Sequence, residues 1–175
     1  MMHWTRYRQG SGACDACGGP ANVYARLVAA RRAADCDLLP CAVRPAQHWI
    51  DHAAVEQLRA DHAAAVASWR DLADSSPPPL EPDWSQAVRD KTPNPAELVG
   101  SAEGRLAVDL LAAPEIVIDS IPPWSTLRIT GPVGAEQSYD DGTDAERIRL
   151  YVPGQYRVAL AASRHLAREW VINAT

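Results

Sequence analysis

The chain has 175 residues, which is enough for one ordinary domain or two small ones. Hydrophobic residues make up 47% and charged residues 22%, a balance that is typical of globular proteins and excludes a disordered one. The net charge of −5 gives no overall field that would attract nucleic acid or an anionic membrane. Because there is no long apolar run and no N-terminal signal region, we expect neither a membrane span nor secretion.

The first 50 residues mix short predicted elements with loops. A weak alternation over residues 2–9 predicts a short strand, and a loop follows over residues 10–19. Pro20 has the restricted φ that suits the first turn of a helix, so we predict a helix from there to about Asp35. Residues 36–41 are predicted to form a turn.

Four cysteines lie within this N-terminal part: Cys14, Cys17, Cys36 and Cys41. The first two, with the glycine that follows them, have the spacing of a zinc knuckle, and the second two follow at a distance seen in four-thiolate zinc sites. The sequence therefore offers a structural zinc bound by all four thiolates. Disulfide pairing and reduced thiols that pack in a core are the alternatives.

The longest predicted helix begins at Asp51, a suitable N-cap, and ends at about Asp74. Six positions of this helix follow the 3, 4 spacing of a heptad seam, and most of them are apolar. They are Val55, Leu58, His62, Ala65, Trp69 and Leu72. This seam is typical either of a helix packed on its own domain or of a coiled coil between copies of the chain.

A proline-rich segment, residues 75–93, predicts a stiff and extended linker. After it, Asn94 and Pro95 have the side chains of a helix start, with Glu97 completing a variant of the capping box. We therefore predict a connecting helix over residues 94–113.

The remaining residues, 114–175, alternate between apolar and polar side chains and are interrupted by turn-forming residues. Strands are predicted at 115–119, 125–130, 137–139, 146–152, 155–161 and 168–173. The predicted strands 146–152 and 155–161 are joined by Pro153 and Gly154, which predicts a hairpin over Arg147–Leu160. Short strands at this spacing favour a small β-sandwich.

The sequence contains no recognisable set of catalytic residues. His48 and His52 are four residues apart, but no glutamate stands between them as a zinc protease requires. The acidic turn from Asp140 to Glu146 lacks the spacing of a calcium loop. Arg26, Arg31 and Arg32 form too small a basic group in an acidic chain to favour nucleic-acid binding. We therefore predict no catalytic residue, no bound small-molecule cofactor and no enzymatic activity.

Residues 115–173 resemble the small immunoglobulin-like or prealbumin-like β-domains of bacterial surface proteins and phage virion proteins. The residues that carry the resemblance are Ile121–Pro123, the turn Tyr139–Gly142 and the run Leu150–Val158. In small tail-associated proteins of tailed phages, a similar C-terminal segment follows a segment like Pro45–Ile50. The resemblance implies a structural protein without cofactor chemistry.

These observations predict an α+β protein in four parts. They are a mainly helical region with the cysteine cluster at 1–74, the linker at 75–93, the connecting helix at 94–113 and an immunoglobulin-like β-sandwich at 114–175. The function expected is a structural or assembly component of a phage tail or baseplate, assembled in the host cytoplasm and found in the virion. Its partners would be other virion proteins and copies of itself. The alternative is a small zinc-binding adaptor or regulatory module that contacts protein or nucleic acid.

Overall fold

The computed structural model describes residues 4–18, 36–71, 77–132, 134–139 and 144–175, and of 15–18 and 134–139 it describes the backbone alone. The chain divides into two compact units, Met1–Asp90 and Lys91–Thr175. The only α-helix in this described part lies in the first unit. No helix there is long and apolar enough to cross a membrane.

In its described residues, the N-terminal unit contains five strands, one α-helix and one short 3-10 helix. They are β1 (Trp4–Arg8), β2 (Cys14–Gly18), β3 (Cys36–Leu39), β4 (His48–Ile50), α1 (His52–Asp71), the 3-10 helix Trp84–Ala87 and β5 (Val88–Asp90). Strand β1 is central in an antiparallel sheet of order β2-β1-β3, and β4 pairs with β5 in a second, two-stranded sheet.

The core of this unit forms around β1, where Thr5 and Tyr7 are fully buried and alternate with more exposed residues. The other buried apolar residues come from the strand ends, the helix start and the 3-10 helix. We call this cluster the N-terminal core: Tyr7, Leu39, Cys41, Val43, Ile50, Val55 and Ala87. The buried face of β1 therefore packs in the N-terminal core.

Helix α1 begins where the sequence predicts it. The backbone N–H of Ala54 donates to the Asp51 carboxylate at 3.4 Å, and that of Val55 donates to the Asp51 carbonyl at 3.1 Å. Val55 is the buried residue of the helix, while His62 and Trp69 of the predicted seam are half-buried. The predicted helix is thus confirmed as far as Asp71, whereas residues 72–74 and Leu72 lie outside the described residues and the coiled coil stays a prediction.

The predicted α+β class, with its mainly helical N-terminal region, is wrong. The described residues of Met1–Asp90 are organised by sheets, because β2 and β3 use segments expected to be a loop and a turn. The half-buried alternation of β1 needs strands on both sides to satisfy its backbone groups, and these two cysteine-bearing segments supply them. The helix predicted from Pro20 to Asp35 lies outside the described residues.

The segment predicted as a linker, residues 75–93, is partly built into the two units. Asp83 caps the 3-10 helix by accepting the backbone N–H of Ser85 at 3.1 Å, and β5 then pairs with β4. Thr92 forms a bridge to His165 in the C-terminal unit. The predicted extended proline-rich run corresponds only to the segment before Trp84 in these described residues.

Within the residues that the structure describes, the C-terminal unit contains eight strands. They are β6 (Glu97–Leu98), β7 (Arg105–Val108), β8 (Glu115–Asp119), β9 (Ser125–Gly131), β10 (Gly134–Tyr139), β11 (Ala145–Arg149), β12 (Gly154–Ala162) and β13 (Arg168–Ala174). A five-stranded sheet has the order β10-β9-β12-β13-β7, and a three-stranded sheet has the order β11-β8-β6. All pairs are antiparallel except β13 with β7.

Both sheets contribute to a single core in this unit. In β12, Tyr156, Val158 and Leu160 are buried and alternate with more exposed residues, as the sequence predicts for a strand with one buried face. The three-stranded sheet adds Ile116 and Ile118. The core is therefore formed between the two sheets, and it is larger than the N-terminal core.

The connecting helix predicted for residues 94–113 is wrong, since β6 and β7 lie there. Glu103 has a φ of 51°, and Gly100 and Gly104 have φ of 78° and 74°, which no right-handed helix can contain. The capping residue Asn94 still accepts the N–H of Ala96, at 3.0 Å, but it holds a turn and not a helix.

The hairpin predicted over Arg147–Leu160 is also wrong. Both runs form strands, but β11 pairs with β8 in the smaller sheet and β12 pairs with β9 and β13 in the larger one. Gly154, with a φ of 142°, lies at the change of direction after Pro153. The Pro-Gly pair therefore moves the chain from one sheet to the other.

Candidate functional site

Three of the four predicted zinc ligands lie on strands of the N-terminal sheet, whereas Cys41 lies beyond the end of β3. Cys14 of β2 is opposite Tyr7, and Cys36 of β3 is opposite Arg8. Because neighbouring residues of a strand have side chains on opposite faces, these register positions place Cys14 and Cys36 on opposite faces of the sheet. Cys14 and Cys41 both pack in the N-terminal core.

The described thiols consequently do not form a ligand set. No group of three or more Cys, His, Asp and Glu side chains that could hold a metal ion occurs within the described ranges. Cys17 is opposite Thr5 in the register, but its side chain lies outside those ranges. The structural zinc therefore stays a prediction.

The two histidines considered in the sequence have structural contacts. His48 accepts the backbone N–H of Arg44 through Nδ1 at 3.2 Å, and its Nε2 lies 3.2 Å from Asp90 on the paired strand. His52 lies on the first turn of α1, where its Nδ1 is 3.0 Å from the Tyr7 hydroxyl. The two side chains thus belong to different local networks.

The Tyr7 hydroxyl is part of a polar network between β1, β3 and α1. It lies 3.5 Å from Asp37, whose carboxylate is 2.7 Å from the Arg59 guanidinium. Burial, reinforced by the negative charge of Asp37, raises the pKa of Tyr7 far above its usual value. The hydrogen bond to Asp37 is the main cause that raises the pKa of Arg59. Because Tyr7 and Asp37 are buried on the sheet and contact His52 and Arg59, the network joins the helix to the sheet.

The C-terminal unit has a more accessible feature, a recess of about 590 Å³ at one end of its sheets. We call it the apolar recess, and its apolar lining consists of Leu110, Leu111, Pro114, Leu150, Tyr151 and Pro153. The side chains of Leu111 and Tyr151 are 98% and 79% exposed. Two large apolar side chains thus lie on the rim of one concave surface.

The backbone that carries these two residues is fixed by hydrogen bonds. Asp109 accepts the N–H of Leu111 at 2.9 Å, and its carbonyl accepts that of Ala113 at 2.8 Å. Before Tyr151, the N–H of Leu150 donates to the Pro114 carbonyl at 2.8 Å. The exposure of Leu111 and Tyr151 is therefore a property of ordered turns.

After Tyr151, the backbone is fixed in the same way. The Tyr156 hydroxyl donates to the Val152 carbonyl at 2.7 Å, so a buried tyrosine of β12 secures the turn. Arg149 lies over the Tyr151 ring at 5.9 Å from its centroid, within the range of a cation–π contact. The rim of the apolar recess thus combines an aromatic ring with a positive charge.

A second exposed aromatic residue, Trp124, lies elsewhere on the same unit. Its φ is 55°, and the Arg164 guanidinium covers its ring at 5.1 Å. Trp124 is 52% exposed, so it presents less free apolar surface than Leu111 and Tyr151 do.

Sequence reasoning missed the apolar recess. Leu110 and Leu111 fell within the connecting helix predicted over residues 94–113, and Tyr151 fell within the hairpin predicted over Arg147–Leu160. The available signal was the pair of leucines just before Pro114, in a segment with turn-forming residues. What no local pattern shows is that Leu111 and Tyr151 lie on the same recess.

Comparisons with protein-family models, with curated proteins and with solved structures found no match, so the function must be inferred from the chemistry of these surfaces.

Proposed function

We propose that this chain is a non-enzymatic structural or assembly protein that works through protein–protein contacts made by the apolar recess. The assembly expected from the sequence resemblance is the tail or baseplate of a phage virion. The observation that carries the proposal is the exposure of Leu111 and Tyr151 on turns whose backbone is hydrogen-bonded. Large apolar side chains that are exposed together on a concave surface are typical of interaction sites.

The energy available at this surface suits a docking role. Full burial of one large apolar side chain contributes about 1.5–3 kcal/mol, so Leu111 and Tyr151 together would contribute about 3–6 kcal/mol. A stable complex also needs a surrounding contact of roughly 800 Å² on each partner. The two residues would therefore act as anchors within a wider interface.

The proposal is tested with purified protein and with phage particles induced from the strain that carries the gene. The wild-type chain should co-sediment with the particles at a saturable stoichiometry. The double variant Leu111→Ser/Tyr151→Ser should bind at least about tenfold more weakly, since it removes more than about 1.4 kcal/mol of apolar burial. Circular dichroism of both proteins checks that the fold is unchanged.

Leu80→Ser is the matched control, because Leu80 is 90% exposed but lies in the proline-rich segment of the other unit. We expect this variant to bind like the wild type. Light scattering measures self-association in the same samples. A wild-type chain that is monomeric at every concentration and has no affinity for the particles would refute the proposal.

A further inference from the structure

Strand β11 has an open edge beside the apolar recess. Its neighbour on one side is β8, and no strand of the described residues pairs with its other side. The backbone groups on an open edge can accept a further strand from a partner.

The alternation of hydrogen bonds along β11 shows which of its residues have backbone N–H and C=O groups that face away from β8. Leu150 donates its N–H to Pro114 in continuation of the β11–β8 register, so its backbone faces β8. In an antiparallel pair, successive residues turn their backbone groups to opposite sides. The N–H and C=O groups of Ala145, Arg147 and Arg149 therefore face the open side.

Strand β8 confirms this alternation independently. Val117, which is opposite Arg147, accepts the N–H of Val99 at 2.9 Å through its carbonyl. Its backbone thus faces β6 and is not available to Arg147. In the described part of the chain, three residues of β11 consequently offer backbone donors and acceptors that no other strand uses.

The side chains on this edge are positively charged. Arg147 and Arg149 are exposed, and in the described part of the chain neither guanidinium forms an ion pair with a carboxylate. Arg147 is opposite Val117, and Arg149 is opposite Glu115. Cross-strand pairs of opposite charge stabilise strand pairing, so the edge favours a strand with acidic residues at alternate positions.

The edge leads directly into the apolar recess, because Arg149 ends β11 and also lines the recess together with Tyr151. We propose that β11 accepts an extended, acidic segment of a partner protein as an added antiparallel strand, with an apolar residue at the segment's N-terminal end seated in the recess. This inference rests on the proposed docking function and specifies the chemistry of the partner.

A second copy of β11 is a poor occupant of the same edge. Antiparallel pairing of two copies would place Arg147 next to Arg147 or Arg149 of the other strand on one face. Like charges in these positions destabilise a strand pair. The edge therefore selects for a different, acidic strand.

The direct test is a titration of the full chain with a blocked, fluorescent peptide. The peptide has an N-terminal leucine, a glycine, and then an alternation of glutamate and valine. Arg147→Glu should weaken its binding about tenfold, since attraction is replaced by repulsion. A peptide with lysine in place of glutamate should bind Arg147→Glu better than it binds the wild type.

Arg157→Glu is the matched control for charge. Arg157 is exposed on β12, but that strand is paired on both sides, so this variant should bind the acidic peptide like the wild type. Equal losses at Arg147 and Arg157 would overturn the inference, because they would reflect net charge alone.

Arg147→Pro tests the backbone contact. The N–H of Arg147 faces the open side, and proline is tolerated at such edge positions. The variant should lose the peptide, whereas Arg147→Ala should retain most of the binding. If Arg147→Pro does not fold, the inference is decided by whether the lysine peptide binds Arg147→Glu better than it binds the wild type.

The outcomes separate the inference from the proposed function. Particle binding that needs Leu111 and Tyr151 but is unaffected by Arg147→Pro overturns the added strand and leaves the docking function standing. Loss of particle binding in Arg147→Pro and Leu111→Ser alike supports both. A wild-type chain that does not bind particles refutes the docking function, whatever the peptide does.

Discussion

The polar network of the N-terminal unit gives a quantitative test of how α1 is attached to its sheet. The Asp37 side chain is 1% exposed, and its carboxylate lies 2.7 Å from the guanidinium of Arg59, which is 36% exposed. The perturbation is Arg59→Met, which keeps much of the apolar stem but removes the charge. Asp37 is then left as a buried carboxylate that has lost its guanidinium partner.

The expected cost follows from burial. Removal of one partner from a buried ion pair typically costs about 3–5 kcal/mol. Because about a third of Arg59 is in contact with solvent, screening reduces this, and we expect the free energy of unfolding to fall by about 2 kcal/mol. For a unit of this size, that corresponds to a decrease in Tm of about 8–16 °C.

Two control variants assign the loss to the buried contact. Arg59 also lies 2.8 Å from the exposed Glu56, three residues earlier on the helix. Glu56→Gln removes that surface pair alone and should cost no more than about 0.5 kcal/mol. The double variant Asp37→Asn/Arg59→Met removes both charges of the pair and should recover a large part of the loss.

The assay is urea unfolding followed by tryptophan fluorescence, with hydrogen exchange measured by mass spectrometry on the peptides of β1 and α1. Faster exchange in those peptides localises the effect to the N-terminal unit. If Arg59→Met costs no more than Glu56→Gln, or if the double variant is less stable than the single one, the buried pair does not hold the helix and the reasoning fails.

Two further predictions concern Tyr7 and the cysteines. Tyr7 has a raised pKa in the folded state; above about pH 10 the unfolded chain therefore loses a proton that the folded chain keeps, and stability should fall by up to about 1.4 kcal/mol per pH unit. Urea unfolding at pH 9 and pH 11 should show a smaller fall for Tyr7→Phe than for the wild type or the exposed-residue control Tyr151→Phe, and equal slopes would contradict this. If all four thiolates bind zinc, the reduced chain contains one equivalent of metal, and Cys36→Ser and Cys14→Ser each release it. Metal content far below one equivalent under reducing conditions would rule out that site.

The period-2 alternation correctly predicted several strands but not their partners. In β12, buried Val158 and Leu160 alternate with exposed residues, which any strand with one buried face requires. The Pro153-Gly154 pair allows a tight hairpin and also a change of sheet, because proline fixes and glycine widens only the local dihedral angles and neither selects a partner strand. The outcome depends on the core, where Tyr156 packs against Gly131 of the neighbouring strand β9.

The false helix at residues 94–113 shows a different limit. Asn94 and Pro95 are equally suited to a turn and to a helix start, because both conformations use a side-chain oxygen to accept a backbone N–H. The helix is excluded by residues further along the chain, where Gly100 and Gly104 adopt positive φ. Two glycines in a predicted helix were a warning, since each lowers its stability by about 1 kcal/mol relative to alanine.

The alternation over residues 2–9 correctly predicted β1, but β2 and β3 could not be predicted because they lack a local signal. Strand β2 contains two cysteines, an aspartate, an alanine and a glycine, a composition that is typical of a metal-binding loop. It is a strand because it pairs with β1, and Gly12 makes the preceding turn possible with a φ of 74°. Tertiary pairing thus overrides local propensity in this region.

The candidate site depends on the same long-range pairing. Leu111 follows β7 and Tyr151 follows β11, and the connection between Leu150 and Pro114 brings the two turns together. Folding alone gives no reason for apolar side chains on these exposed turns, since polar residues would serve the backbone equally well. Where a sequence departs from the local rules while its core obeys them, the departure is expected at a functional surface. For that reason the apolar recess, rather than the cysteines or the histidines, is the part of the molecule on which function should be tested first.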